Sequence, residues 1–367
     1  MQRLFSTTCA RFGKQRPSKV HHAVTPLLEN LPRDFVVTGL HAGVKKQPGA
    51  LDLALIVSKQ SQTAAAACFT RNAFQAAPVL VCKEVLEQAS GRASAVIVNS
   101  GCANAVTGKQ GRHQAWKMVA AADALADRVQ HASSTTRIPS SLVMSTGVIG
   151  QTLPISEIIS ATTRVKVDEL GSTPAHWELA AKAFMTTDTF PKLRARKFQL
   201  GGKDVRIAGI DKGAGMIHPD MGPPRPLHAT LLAVFATDAA ISPPLLQKAL
   251  TYAVDRSFNC IDVDGEMSTN DTVLALANGA SGVAEITSAD SPEFATFQQE
   301  LTNFSTELAQ LVVRDGEGAT KFVTVSVQVR VLVLPLFIYH ELTFSIRVLL
   351  HMKTHTKSPP PFQLRPW

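Results

Sequence analysis

The chain has 367 residues, 45% hydrophobic and 18% charged. That composition excludes a disulfide-stapled miniprotein, a disordered tail and a membrane bundle, and it suffices for one large or two medium domains. Of the net charge of +8, residues 1–28 supply +5 and residues 329–367 supply +4, leaving the body near −1; a phosphate-tracking surface needs Lys and Arg clustered on the folded body, so no nucleic-acid partner is expected.

The first twenty residues, MQRLFSTTCARFGKQRPSKV, are Arg-rich, contain Ser and Thr, and lack both acid and a continuous apolar core. Residues 1–28 are therefore expected to be a mitochondrial transit peptide, with a basic arm as the alternative. Cys9, Cys68, Cys82, Cys102 and Cys260 form no C-x-x-C pair. Neither a zinc cage nor a disulfide framework is implied, which suits a reducing compartment such as the mitochondrial matrix.

Apolar runs at 51–57 and 95–98 flank an Ala-rich stretch at 63–68 and read as buried strands and their supports. Helical spacing follows over 114–132, where Trp116, Val119, Ala122 and Leu125 recur at three- and four-residue intervals. A second helix at 178–187 runs into Met185-Thr186-Thr187-Asp188 and is broken by Phe190-Pro191. A strand at 205–210 leads into Lys212-Gly213-Ala214-Gly215-Met216. The stretch 218–228, HPDMGPPRPLH, has four prolines and reads as an exposed loop, so the apolar segment after it starts a strand within a residue or two of Ala229-Thr230. Helices are expected at 243–257 and 297–313, a polar turn feeding a strand over 263–279, and a strand at 321–327. The mixture makes the fold α/β (α+β). The apolar run 331–339 is broken by Pro335 and is about half of the ~20 residues a membrane helix needs, so no span is expected.

Several motifs fail. GCANAVTGKQ (101–110) has Ala103 where a phosphate loop needs its first glycine and Gln110 where Ser or Thr should bind magnesium. Gly213-Ala214-Gly215 begins a dinucleotide fingerprint, but His218 stands in place of its last glycine. Asp262, Asp264 and Glu266 mimic a calcium loop that Met267 and Val273 spoil, and read as a polar turn. His218, Asp220 and His228 lack a third well-spaced histidine. No metal and no cofactor are expected.

Thr230 is more informative. A threonine hydroxyl becomes a useful nucleophile when the residue opens a chain, because its own α-amine, with a pKa near ~7.7 to 8.0, then serves as the base. That requires a break between Ala229 and Thr230, at the junction of an exposed loop and a rigid strand. The plain alternative is a β-forming threonine at a strand start.

Six ordered blocks lying between about residues 35 and 327 resemble the glutamate N-acetyltransferase or ornithine acetyltransferase family of arginine biosynthesis: Asn99-Ser100-Gly101 with Ala103-Asn104-Ala105, MSTGVIG (144–150), MTTDT (185–189), KGAGMI (212–217) with ATLL (229–232), STNDT (268–272) and EGATK (317–321). The resemblance implies that family's self-cleaving fold with an N-terminal threonine nucleophile. It implies an α chain over 29–229 and a β chain over 230–328, assembled as an α2β2 heterotetramer. Thr230 would carry the acetyl group from N-acetylornithine to glutamate in a ping-pong reaction, and acetyl-CoA would be a further donor, as in some family members. Thr146 and Gly147 would form the oxyanion hole, while Lys212, Thr187 with its neighbour Thr186, Thr230 and Glu317 would bind substrate. By themselves Lys212 also reads as a surface lysine and Glu317 as a solvated helix end. An N-terminal-nucleophile amidohydrolase or aminopeptidase, or an inactive truncated chain, are the rival readings.

The sequence departs from the family at two places. Residues 222–228 intervene beside the scissile bond where relatives run directly into Ala-Thr. Residues 329–367 lack the family's C-terminal pattern, with its substrate-binding Asn and Ser or Thr, and read as an unspliced or frame-shifted end.

Overall fold

Short apolar runs build two sheets in this computed structural model, which describes residues 18–132, 138–222, 231–332 and 341–351. The elements in chain order are β1 (Phe35–Leu40), β2 (Leu53–Ser58), β3 (Ala64–Thr70), α1 (Ala77–Gln88), β4 (Ala95–Cys102), α2 (Gly108–Gln130), β5 (Ser141–Val148), α3 (Ile155–Arg164), α4 (Pro174–Phe184), β6 (Lys192–Leu200), β7 (Lys203–Lys212), β8 (Met221–Gly222), β9 (Leu232–Thr237), α5 (Pro243–Asp255), β10 (Thr272–Ala277), α6 (Pro292–Asp315), β11 (Phe322–Leu332) and β12 (Glu341–His351).

The first sheet runs β1-β2-β4-β5 and the second β6-β7-β9-β10-β3-β8. Each contains one parallel pair, β4/β5 and β9/β10, and each pair is joined by a crossover helix, α2 and α5. All the other pairings are antiparallel. Strand alternation divides the second sheet between two cores. Leu232, Val234, Ala236, Leu274 and Leu276 join the core built by the first sheet with α1, α2 and α4, whereas Ala233, Phe235, Val273 and Ala275 pack with α5 and α6. Helix α4, with Trp177 and Phe184 fully buried, touches β1 and β2 as well as β6 and β7 and so wedges between the sheets.

The mixed α/β reading holds, and the helices differ mainly at their ends. Helix α6 starts at Pro292 rather than 297, because Ser291 caps it by accepting the Phe294 N–H (3.1 Å) and proline is tolerated in a first turn. Helix α4 ends at Phe184 rather than 187, since Asp188 draws the Thr186 N–H (2.9 Å) out of helical register. The Ala-rich 63–68 stretch is itself strand β3, which hydrogen-bonds to β10. Strands β1, β5, β6 and β8 and helices α1 and α3 were not anticipated. Strand β11 runs past residue 328 and pairs with β12 from Phe322↔His351 to Leu332↔Glu341. Among the described residues no helix is long and apolar enough to cross a membrane.

Residues 18–22 lie on the body. Lys19 Nζ donates to Gly316 O (3.0 Å), Arg194 donates to His22 O (3.0 Å), and the His22 ring lies 5.7 Å from that of Phe190.

Glycine is required where α4 presses on β1, since a Cβ on Gly39 would stand 2.0 Å from Leu179 O and 2.9 Å from Ala180 N. Both obstacles are backbone, so Gly39→Ala forces helix and sheet apart. It should lower the unfolding free energy by about 1–3 kcal/mol, read as an earlier urea midpoint at unchanged slope.

Candidate active site

The carboxyl ends of β4 and β5 meet through two glycines. Gly101 and Gly147 are paired in register and both have positive φ, +110° and +127°, and a Cβ on Gly147 would fall 2.3 Å from Gly101 C. The turn after Thr146 therefore stays open to solvent with its backbone bare. Asn270 locks it from the second sheet: its Nδ2 donates to Ala103 O (2.6 Å) and Ser145 O (2.9 Å).

Lys212 ends β7 facing this turn, with Nζ 3.3 Å from Thr146 Oγ1. It is buried, which corrects the surface-lysine alternative. Burial pushes its pKa below the ordinary lysine value, against the attraction of Asp188, Asp271 and Glu317, while Lys192 adds to the lowering.

Behind the cavity, Lys192 Nζ is held between Asp188 Oδ1 (2.5 Å) and Asp315 Oδ2 (2.7 Å), with all three side chains almost fully buried. Burial by itself would raise the Asp188 carboxyl, but Lys192 and then Lys212 overcome it and hold the group well below the usual carboxylate range. The same carboxylates fasten the neighbouring chain: Asp188 accepts from Gly213 N (2.7 Å) and Thr186 N (2.9 Å), and Asp315 from Thr189 N (2.9 Å) and the Thr189 hydroxyl. Glu317, two residues beyond Asp315, donates its N–H to Ala214 O (2.6 Å). Its carboxyl carbon lies 2.8 Å from where a Cβ on Gly215 would stand, so a side chain at residue 215 would displace the Glu317 carboxylate.

A cavity of about 880 Å³ results, and Thr146, Gly147, Thr186, Thr187, Lys212 and Glu317 all line it. These are every described residue that the sequence marked as catalytic or substrate-binding. Glu317 is exposed but faces the cavity, following rather than closing α6. Ala229, Thr230 and His228 lie outside the described residues. Leu231, bonded to residue 230, is fully buried; its carbonyl accepts from Thr272 N (2.6 Å) and its side chain stands against Gly213.

Sequence reasoning missed part of the wall. Lys45, Lys46, Gln47, Gln151, Ser268 and Asn270 also line the cavity. The adjacent lysines 45 and 46, seven residues ahead of an isolated Asp52 in an apolar strand, were the available signal. The 262–266 turn does more than turn: Asp264 accepts the N–H groups of Met216 (2.6 Å) and Ile217 (2.9 Å) and so pins the loop after Lys212. His218 pairs with Asp262 (3.4 Å) and Asp220 with Arg71 (3.1 Å).

The model of the ArgJ family matches residues 36–330. The chain is 58% identical over 331 residues to the mitochondrial arginine biosynthesis bifunctional protein ArgJ of Laccaria bicolor, covering 88% of this chain and 69% of that protein. It is 52% identical over 297 residues to the corresponding protein of Clavispora lusitaniae, covering 81% and 68%. Among solved structures it is similar to the ArgJ protein of Bacillus halodurans, with 35% identity, a TM-score of 0.47, and 53% of this chain and 96% of that chain covered. It is also similar to ornithine acetyltransferase of Mycobacterium tuberculosis in complex with ornithine, with 35% identity, a TM-score of 0.44, and 53% and 98% covered.

Lys192→Met leaves Asp188 and Asp315 buried without their cation, which should cost about 3–5 kcal/mol at neutral pH. The pH dependence should also reverse for this cluster. In the wild type Asp188 is depressed, so its contribution persists above the ordinary carboxylate pKa and fades only as pH falls through its lower folded value. Without Lys192, burial raises the carboxyl instead, and the variant should regain stability as pH falls from 7 toward about 4. Urea unfolding of both proteins across that range reads the two slopes.

Proposed function

The chain belongs to the ArgJ family, the bifunctional acetyltransferases of arginine biosynthesis, and we propose that it moves the acetyl group of N-acetylornithine to glutamate through Thr230. Relatives at 56–58% identity carry the mitochondrial designation, and this chain is placed with them. One observation supports the site above all: residues from separate sequence blocks, Thr146-Gly147, Thr187, Lys212 and Glu317, converge on a single cavity. Leu231, bonded to residue 230, is buried against Gly213, next to the cavity-lining Lys212.

Maturation is hydrolysis of the Ala229–Thr230 peptide bond: one water is consumed, Ala229 ends an α chain as a carboxylate, and Thr230 opens a β chain with a free amine. In the first half-reaction that amine takes the Oγ proton as Oγ attacks the acetyl carbonyl carbon. The carbonyl π electrons move to oxygen, then return to expel the α-nitrogen of ornithine, which receives the proton. An acetyl ester remains on Thr230. In the second half-reaction the glutamate amine attacks the ester carbon, the C–Oγ bond breaks, and the proton returns to Oγ. Acetyl-CoA reaches the same ester with a thiolate leaving group. No cofactor enters either step.

The Thr146-Gly147 turn serves the tetrahedral oxyanion. Lys212 donates to Thr146 Oγ1, which orients the threonine O–H away from the ammonium and toward the developing charge. Lys212 and the Thr186-Thr187 hydroxyls suit a substrate carboxylate and Glu317 an ammonium, matching a zwitterionic amino acid. The working assembly is an α2β2 heterotetramer of the cleaved chains.

Intact mass and N-terminal sequencing test the nucleophile. The wild type should give two fragments, the second beginning at Thr230, and should gain one acetyl group on N-acetylornithine; Thr230→Ala should stay uncut and unacetylated. Release of free acetate without an acceptor would move the reading to the hydrolase alternative. Thr146→Val, which removes one oxyanion donor, should mature but lose about 10²–10³ in kcat.

A further inference from the structure

The proposed reaction brings into one cavity, in turn, two amino acids that share an α-carboxylate and differ at the far end: ornithine is cationic there and glutamate anionic. The cavity has walls of both signs. Glu266 and Glu317 supply carboxylates, and the loop of residues 44–47 supplies a lysine wall distinct from Lys212.

That loop is built to hold Lys45 still. Asp52, fully buried at the start of β2, accepts the N–H groups of Ala42 (2.5 Å), Gly43 (3.1 Å) and Lys45 (2.9 Å), so the loop closes around one carboxylate. Lys45 then extends past Gly101, its Cγ 3.1 Å from where a Cβ on that glycine would stand. Its Nζ donates to Leu51 O (2.7 Å) and to Met185 O (2.8 Å), the carbonyl just ahead of Thr186-Thr187. An ammonium has three N–H donors. Among the described residues the third has no acceptor, and the residue borders the cavity. Its neighbour Lys46 is exposed and solvated.

The two lysines are held by different partners: Lys212 donates to Thr146 Oγ1, whereas Lys45 donates to the carbonyls of Leu51 and Met185. We propose that Lys45 is a specificity residue that recognises the side-chain carboxylate of the accepting amino acid, glutamate, through its unused N–H. The assignment rests on the acetyl-transfer reading above. Two carbonyls already fix the ammonium, so little side-chain freedom is left to lose on binding, and the half-buried setting strengthens a charge-assisted bond. Ornithine presents no anion there and is served by the acidic wall.

The test splits the half-reactions in the full chain. Lys45→Gln keeps two N–H donors for the Leu51 and Met185 carbonyls while removing the charge and the third donor; Lys45→Arg keeps the charge. Acetyl-enzyme formation from N-acetylornithine is read by intact mass, and transfer is compared for glutamate and glutamine, which are near-isosteric but carry a side-chain carboxylate and a neutral amide. Lys45→Gln should raise KM for glutamate about ten- to hundredfold, leave KM for glutamine near the wild-type value, and still acquire the acetyl group; Lys45→Arg should restore most of the preference. Equal losses on glutamate and glutamine, or an equal loss in the N-acetylornithine step, would show that Lys45 only props the wall and would overturn the proposal. A wild type that never acquires an acetyl group overturns the acetyl-transfer reading, and the Lys45 assignment with it.

Discussion

One buried ammonium fixes the geometry of the cavity. Lys192 lies on β6 between Asp188 and Asp315 and directly across the strand pair from Asp211. Each of its two carboxylate partners spends its remaining lone pairs on backbone that leads to a cavity residue. Asp188 holds the N–H groups beside Lys212 and at Thr186, and Asp315 holds Thr189 and precedes Glu317. Three segments far apart in sequence are thereby referred to one charge. Taking these ions out of water is expensive, and a well-packed apolar replacement of the whole cluster would be no less stable in principle. What the cluster supplies is position: Thr187, Lys212 and Glu317 cannot shift relative to one another without exposing or unpairing a buried charge.

Two further acids, Asp211 and Asp271, are buried near the two lysines. Neither oxygen of Asp211 or of Asp271 has a hydrogen-bond partner among the described residues, and burial pushes both carboxyls well above the ordinary range. Lys192 lies among Asp188, Asp315 and Asp211, and Lys212 is drawn toward Asp188 and Asp271. An ionised Asp211 would add a third anion around Lys192 with no donor to receive it, which low dielectric penalises heavily.

Local patterning reached most of the elements because burial on both faces leaves near-continuous apolar runs, as in β2, β4 and β9. It failed where the deciding contact is distant. KLRARKFQL, the sequence of β6, carries four Lys and Arg residues and was not read as an element, and Lys192 is buried because Asp188 and Asp315, four and 123 residues away, converge on it. Helix α4 stops early for a similar reason, since Asp188 competes for a backbone N–H. Lys45 was unremarkable without the Asp52-centred loop that aims it. Thr146, Gly147 and Glu317 were legible through family resemblance rather than through spacing, because a turn at a strand end has no periodicity of its own.

The topology accounts for where such a reaction has to sit. A donor turn for an oxyanion is best made after a strand, where the chain leaves the ladder and its N–H groups are released; β4 and β5 are parallel, and their carboxyl ends, Gly101 and Gly147, open on the cavity. A nucleophile that must carry a free amine has the opposite need, since it has to open a strand. In the second sheet β9 and β10 are parallel to each other and β7 is antiparallel to β9, so the starts of β9 and β10 lie beside the end of β7, with Leu232 opposite both Lys212 and Thr272. The cavity thus lies where the carboxyl ends of one parallel pair face the amino ends of the other. Neither sheet alone offers both kinds of end at one edge, and the two edges are bridged by Asn270, which reaches from just ahead of β10 to the carbonyls of Ala103 and Ser145, and by Lys212, which donates to Thr146 Oγ1.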